Sequence, residues 1–216
     1  MYTLLDGMFI GDGFEKNDNY SNFCFWKKED KEYYITIILD RNSFEIFDVK
    51  NILDEFDKIK KEKSDIEKNT SLIIFVKLDN LETEFIELKN RIMDIEENEY
   101  WFKKYVVVYT NNSLINLKNA SRLNEVIFDE LRFDNFKENL FADDEYFFTI
   151  QLFMKIPFLK IGLKESVFSN LGEMIDNKLV FDQKQMVSRI LDIKYDEDSK
   201  KLDDASLQEF FNEYNI

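Results

Sequence analysis

The residues best placed to do chemistry are carboxylates and a lysine that follow a predicted strand. Asp40 ends an apolar run, and Asp48 and Lys50 form a D-x-K triplet shortly after it, with Glu45 nearby. In restriction-type nucleases an acidic residue and a (D/E)-x-K triplet hold Mg²⁺, and the lysine stabilises the attacking water or the developing charge. One hypothesis is therefore a Mg²⁺-dependent nuclease. The alternative for Asp48 is a helix cap, and short triplets arise often by chance in a chain that is 34% charged.

Two other motifs are weaker signals for a catalytic or phosphate-binding site. Glu87-Leu88-Lys89 is a second E-x-K triplet, but it lies within a helical pattern. Gly11 and Gly13 form a lone G-x-G, and no GxxxxGK[ST] occurs in the sequence, so a simple turn is favoured over a phosphate-binding loop. We expect no bound cofactor and no metal.

The residue counts exclude several classes of site. The chain has no His and one Cys, Cys24, among 216 residues. Ser/His/Asp and Cys/His catalytic arrangements are therefore impossible, and a zinc site lacks ligands. No intramolecular disulfide can form, which is typical of a reducing compartment, so we expect a cytoplasmic protein.

The charge balance bears on partners. The net charge is −15, from 29 basic and 44 acidic residues, and this charge repels a phosphate backbone. A second hypothesis follows from the same charge: an inhibitor that mimics DNA, which requires carboxylates clustered on one face. We expect no contact with a membrane, because the most apolar stretch, residues 146–159, is too short and too interrupted to span a bilayer.

The pattern of apolar residues predicts an α/β (α+β) fold: a small mixed sheet with flanking helices in the N-terminal half and a helical C-terminal half. We assign residues 1–110 to the sheet region and 111–216 to the helical region, and expect the two to share one core. Alternating or continuous apolar runs predict strands, and apolar residues at 3- and 4-residue spacing predict helices. The predicted strands are 22–27, 32–39, 71–78 and 101–110, and the predicted helices between them are 48–63, capped by Asp48, and 80–97, capped by Asn80.

Helical spacing continues in the second half. It recurs between Ser113 and Phe136, and a helix beginning near Asp144 should end near Ile156, because Pro157 disfavours helical geometry in the residue before it. That helix is apolar nearly all round, so it must be buried on most sides or dock on a partner. Further predicted helices are 164–176, 182–192 and 205–214, with a flexible linker at 196–201.

Aromatic residues make up 16% of the chain and crowd two segments, one around Trp101 and one from Tyr146 to Phe158. Such stripes can form the core, bind another protein or stack on bases. Base-stacking platforms normally lie in a basic groove, so the net charge favours core or protein contact.

Two segments resemble a known family. The stretch 95–110, which contains FKKYVVVYT, and the stretch 151–159, QLFMKIPFL, are similar to the middle components of bacterial ABC-three-component systems, the group that includes Lamassu-type defence. The resemblance covers roughly residues 20 to 160. It implies a non-enzymatic accessory subunit that joins an SMC- or RecN-like ATPase to an effector, often a nuclease, with DNA contact made mainly through those partners.

Partner-facing residues are expected at two places. One is the strand end around Trp101, Lys103 and Lys104, and the other is the corner formed by Pro157 and Phe158. Neighbouring residues on a strand point to opposite faces, so at most one of the two lysines should lie in the core. The other would be free to contact an acidic partner surface or a phosphate.

Overall fold

The computed structural model describes residues 1–17, 20, 22–29, 31–60, 66, 68–117, 120–162, 195–196 and 201–202. The chain divides into two compact units, Met1–Gly162 and Leu163–Ile216. The helices predicted at 164–176, 182–192 and 205–214 lie outside the described residues. In the second unit, β6 (Tyr195–Asp196) pairs antiparallel with β7 (Lys201–Leu202), so the prediction of a flexible linker is wrong at both of its ends.

A five-stranded sheet forms the centre of the first unit. Its order is β1-β2-β3-β4-β5, in which β1, β2 and β3 pair antiparallel and β3, β4 and β5 pair parallel. This arrangement confirms the predicted small mixed sheet with flanking helices. The strands are β1 (Glu15–Asn17), β2 (Cys24–Lys28), β3 (Glu32–Asp40), β4 (Thr70–Lys77) and β5 (Lys103–Tyr109).

Helices cover both faces of this sheet. One core cluster joins it to α3 and α4, and a second joins it to α1, α6 and α8. The helices are α1 (Tyr2–Gly11), α2 (Arg41–Glu45), α3 (Lys50–Lys60), α4 (Leu81–Glu96), α5 (Asn111–Leu114), α6 (Arg122–Ile127), α7 (Glu130–Glu138) and α8 (Asp144–Lys155).

The central strand β4 shows why its sequence is a continuous apolar run. Leu72, Ile74 and Val76 enter one core cluster, whereas Ile73 and Phe75 enter the other. Successive side chains of a strand point to opposite faces, so where helices cover both faces the strand is apolar at consecutive positions, here from Leu72 to Val76.

Side-chain caps fix where the predicted helices begin. Asn80 Oδ1 accepts from the amide of Thr83 at 2.9 Å, which confirms the predicted cap of α4. Asp48 Oδ1 accepts from the amide of Lys50 at 3.0 Å, where α3 starts. α3 is described as far as Lys60, so the predicted end at 63 lies outside the described residues.

Helix α8 confirms the expectation of burial on most sides. Phe147 lies in the core cluster shared with α4, whereas Phe148 and Leu152 lie in the cluster on the other side of the sheet. The helix ends at Lys155, two residues before Pro157, as predicted. It therefore closes the side of the sheet formed by β5, which is an edge strand of the described sheet.

Candidate partner-binding surface

Trp101, the predicted interface residue that precedes β5, lies on a tight loop that Lys104 holds in place. The Lys104 ammonium donates to the carbonyl oxygens of Asn98 at 2.6 Å, Tyr100 at 2.8 Å and Phe102 at 3.0 Å. Asn98 Oδ1 also accepts from the amide of Tyr100 at 3.0 Å. Three carbonyls therefore surround one cation, and they set the path of the backbone from 98 to 102.

The two neighbouring lysines have different environments. Lys104 is 3% exposed and burial lowers the pKa of its ammonium, whereas Lys103 is exposed. The strand alternation expected from the sequence is present. Lys104 is a structural clamp and not the surface contact that the sequence suggested, because its three donors are directed at the loop carbonyls.

The loop presents two aromatic rings at the surface. Tyr100 is 71% and Trp101 39% exposed, and their ring centroids are 6.0 Å apart. Trp101 has φ +71°, a left-handed conformation that a bulky side chain rarely adopts. Residues in such conformations persist only where the surroundings impose them, and the carbonyls bound by Lys104 do so here.

A groove of about 700 Å³ runs beside these rings, between the segment that precedes α3 and the C-terminal half of α4. We call it the Trp101 groove. Its lining residues are Ile46, Phe47, Asp48, Val49, Lys50, Arg91, Asp94, Ile95, Asn98, Tyr100 and Trp101.

The Pro157 corner differs from the expectation. Pro157 is exposed, but Phe158 is buried with its ring 4.7 Å from that of Phe9 and 5.3 Å from that of Tyr34. Phe158 anchors the chain after α8 to the core, because its ring offers large apolar area to the pocket formed by these aromatic neighbours. Of the two corner residues, Pro157 alone remains available at the surface.

The outer edge of β5 is closed by side chains of α4 and α8. The Gln151 amide accepts from Val108 N at 3.1 Å through Oε1 and donates to Val108 O at 3.0 Å through Nε2. Glu96 Oε1 accepts from Val106 N at 2.7 Å, and the Lys155 ammonium donates to Val106 O at 2.7 Å. Glu96 and Lys155 also form an ion pair at 2.7 Å.

A neighbouring strand would form hydrogen bonds with the N–H and C=O groups of alternate residues of β5. The side chains of Glu96, Gln151 and Lys155 form these hydrogen bonds instead. An open strand edge is a template for pairing with another chain, and Gln151 and Lys155 block it at two positions. Sequence reasoning missed this role. The signal was a Gln and a Lys four residues apart within an otherwise apolar helix, which places both on one side of α8.

The residues of the nuclease hypothesis lie in different cavities. Asp40 lines a cleft of about 370 Å³ at the ends of β3 and β4, together with Lys77, whereas Asp48 and Lys50 line the Trp101 groove. Asp40 caps α2 by accepting from the amide of Ser43 at 2.7 Å, and this bond lowers the pKa of its carboxyl.

The remaining motif residues have structural partners. Glu87 of the second triplet forms an ion pair with Arg41 at 2.6 Å. Gly13 has φ +87° in the turn after α1, as a simple turn requires. Across the described ranges, no three Asp, Glu or Cys side chains are grouped so that they could hold a metal ion.

Two separate arginine networks hold six carboxylates. Arg41 pairs with Glu45, Glu84 and Glu87 on α2 and α4. Arg132 pairs with Asp129, Asp143 and buried Glu145, the last at 3.0 Å. These six are a small part of the 44 acidic residues, so the DNA-mimic hypothesis stays a prediction.

Comparison with known proteins bears on this same region. Residues 32–131 match the family model of the ABC-three component (ABC-3C) system Middle Component 1. The matched range is a little under half of the chain and runs from the start of β3 into α7. It contains the segment 95–110, on which the resemblance partly rested, and every residue that lines the Trp101 groove.

Searches of curated proteins and of solved structures gave no match. Within the part of the chain that the structure describes, no helix has the length and apolar character needed to cross a membrane.

Proposed function

We propose that this chain is the middle component of an ABC-three-component system of the Lamassu-like defence type. In this role it is a non-catalytic, cytoplasmic accessory subunit that binds an SMC- or RecN-like ATPase and couples it to an effector. The observation that carries the proposal is the match of residues 32–131 to the middle-component family model.

The position of the match within the fold supports the proposal. The matched range includes the parallel strands β3, β4 and β5, the helices between them and the loop that displays Tyr100 and Trp101. The described surface feature best suited to protein contact thus lies in the part of the chain that resembles the family. Tyr and Trp are enriched in protein–protein interfaces because one end is apolar and the other can donate a hydrogen bond.

The sequence indicates which activities belong to the partner subunits. A net charge of −15 repels a phosphate backbone, and the sequence contains no GxxxxGK[ST] loop for a nucleotide. The proposal therefore assigns ATP hydrolysis and DNA contact to the ATPase, and substrate cleavage to the effector.

Reconstitution of the three subunits tests the coupling. An SMC-like ATPase with a tag and a candidate effector, both taken from the genes that flank this one, are co-expressed with and without this chain, and the ATPase is purified by its tag. We expect the effector to be recovered with the ATPase when this chain is present and to be lost when it is omitted. Equal recovery of the effector in both cases would contradict the coupling role.

A further inference from the structure

The Trp101 groove combines an apolar floor with exposed apolar walls. Phe47, Val49 and Ile95 form the buried floor, whereas Ile46, 83% exposed, and Trp101 reach the solvent at its sides. A groove of about 700 Å³ with these walls has room for a few side chains of a bound segment.

The formal charges of the groove lining balance, with Asp48 and Asp94 against Lys50 and Arg91. Arg91 is the least exposed of the four, because its Nη2 donates to the carbonyl of Phe47 and its Nε is buried. The exposed charged side chains of the lining are therefore two carboxylates, Asp48 and Asp94, and one ammonium, Lys50. In the described part of the chain, neither carboxylate forms an ion pair.

The loop that carries Tyr100 and Trp101 adds further negative charge beside the aromatic rings. Glu97 and Glu99 are exposed on either side of Asn98, which lines the groove. A Lys or Arg side chain placed over Trp101 would meet both a π face and nearby carboxylates. The net charge of −15 adds long-range attraction for a basic partner.

The backbone of the loop is held by contacts within the chain. Lys104 donates to three of its carbonyls, and Trp101 has a left-handed φ. These hydrogen bonds restrain the backbone that carries the rings, which lowers the entropic cost of binding relative to a loop without them. Trp and Tyr are also among the residue types that dominate binding energy in interfaces.

We infer that the Trp101 groove binds a protein segment that carries a Lys or Arg beside apolar residues. This inference rests on the proposed function, in which the segment belongs to the SMC-like ATPase. The cation lies over the ring of Trp101 and beside the carboxylate of Asp94, and the apolar residues fill the floor. A nucleic acid is the less suitable occupant, because its phosphates would meet the same carboxylates.

The test uses the full chain and fluorescein-labelled synthetic peptides whose binding is followed by anisotropy. One peptide alternates Leu and Arg, its counterpart alternates Leu and Glu, and a labelled single-stranded oligonucleotide is the third probe. The groove variants are Trp101→Gly, which removes the ring and suits the positive φ, and Asp94→Lys, which reverses a groove charge. The matched controls are Met154→Ala, an apolar residue 78% exposed on α8, and Glu138→Lys, an exposed carboxylate on α7.

We expect the basic peptide to bind, and each groove variant to weaken this binding about tenfold or more, whereas the controls leave it unchanged. Equal binding of the acidic peptide, preferential binding of the oligonucleotide, or full affinity in Trp101→Gly would overturn the inference. Thermal unfolding of each variant shows whether a loss of binding comes from a loss of the fold.

The same variants are then tested against the neighbouring SMC-like ATPase. If the ATPase binds the wild-type chain and Trp101→Gly equally, the inference about the groove fails and the proposed function stands. If the ATPase does not bind the wild-type chain, the proposed function fails, and the peptide titration still decides what the groove binds.

Discussion

At the scale of single residues, Lys104 illustrates how a charged side chain can organise a loop instead of a surface. Its ammonium satisfies three carbonyls that would otherwise depend on water, and it fixes the backbone that carries Trp101. The adjacent Lys103 has the same side chain but is exposed, so a substitution at Lys103 is a control for the same substitution at Lys104.

The Lys104→Met variant should lower the free energy of unfolding by about 2–3 kcal/mol, because the loop carbonyls lose charged hydrogen-bond donors. Lys103→Met should change it by less than about 0.5 kcal/mol, as exposed substitutions usually do. Urea denaturation of the two variants and the wild type measures this difference. Equal stability of the two variants would show that Lys104 is not a clamp.

Tyr34 leads to a prediction about alkaline pH. Burial raises the pKa of its phenol from the ordinary 10.0 to about 12, so the unfolded chain loses this proton first. The stability that the neutral phenol contributes is complete below pH 10 and is lost as pH rises through about 12. Denaturation measured across this window should show a smaller loss of stability in Tyr34→Phe than in the wild type. An identical pH dependence would contradict the assignment to Tyr34.

At the scale of elements, the contact between α8 and β5 determines how the sheet ends. Gln151 alone satisfies both the N–H and the C=O of Val108, and the pair formed by Glu96 and Lys155 does the same for Val106. An apolar helix thus carries polar side chains at the positions where it meets an unpaired backbone. Buried backbone groups need such partners, since an unsatisfied group costs about 1–3 kcal/mol.

Replacement of Gln151 by Leu leaves the backbone of Val108 without partners, so the free energy of unfolding should fall by about 2–4 kcal/mol. The amide of Val108 should also exchange with deuterium faster than it does in the wild type. Met154→Leu, on the exposed side of the same helix, serves as the control and should change neither quantity. Unaltered exchange at Val108 in Gln151→Leu would show that the edge is protected in another way.

Several elements could be predicted because their sequences are governed by local rules. The continuous apolar run at 71–78 predicted the strand β4, and Asn80 and Pro157 marked the start of α4 and the end of α8. Helix α1 was missed, because it contains Gly7 and begins without a side-chain cap.

The candidate site was only partly predictable. Trp101, Lys103 and Lys104 were all expected to face a partner from their place at the end of a predicted strand, and the sequence did not show which of the two lysines is buried. The clamp of Lys104 could not be inferred, because it depends on where the carbonyls of a folded loop point. The burial of Phe158 likewise depends on contacts with α1, which is distant in sequence.

At the scale of the whole molecule, the chain combines strong negative charge with a display of aromatic residues. Asp40 lines one cavity, and Asp48 and Lys50 line another. The geometry therefore gives no support to a nuclease centre built on all three residues. The fold instead positions Tyr100 and Trp101 beside a groove within the segment that matches the middle-component model.

The purified chain, incubated with plasmid DNA and Mg²⁺, should leave the DNA intact, because the three nuclease candidates do not converge. Agarose electrophoresis over time measures cleavage. Cleavage that disappears in both Asp40→Asn and Asp48→Ala, with the fold retained, would restore the nuclease hypothesis and contradict the non-catalytic role.

The central claim is that this chain is an accessory subunit whose partner is an SMC-like ATPase. Size-exclusion chromatography of the purified chain mixed with an SMC-like ATPase, taken from the genes that flank its own, tests this claim most directly. The account predicts that the two proteins elute together, ahead of either protein alone. Separate elution at the positions of the individual proteins, at every concentration tried, would contradict it.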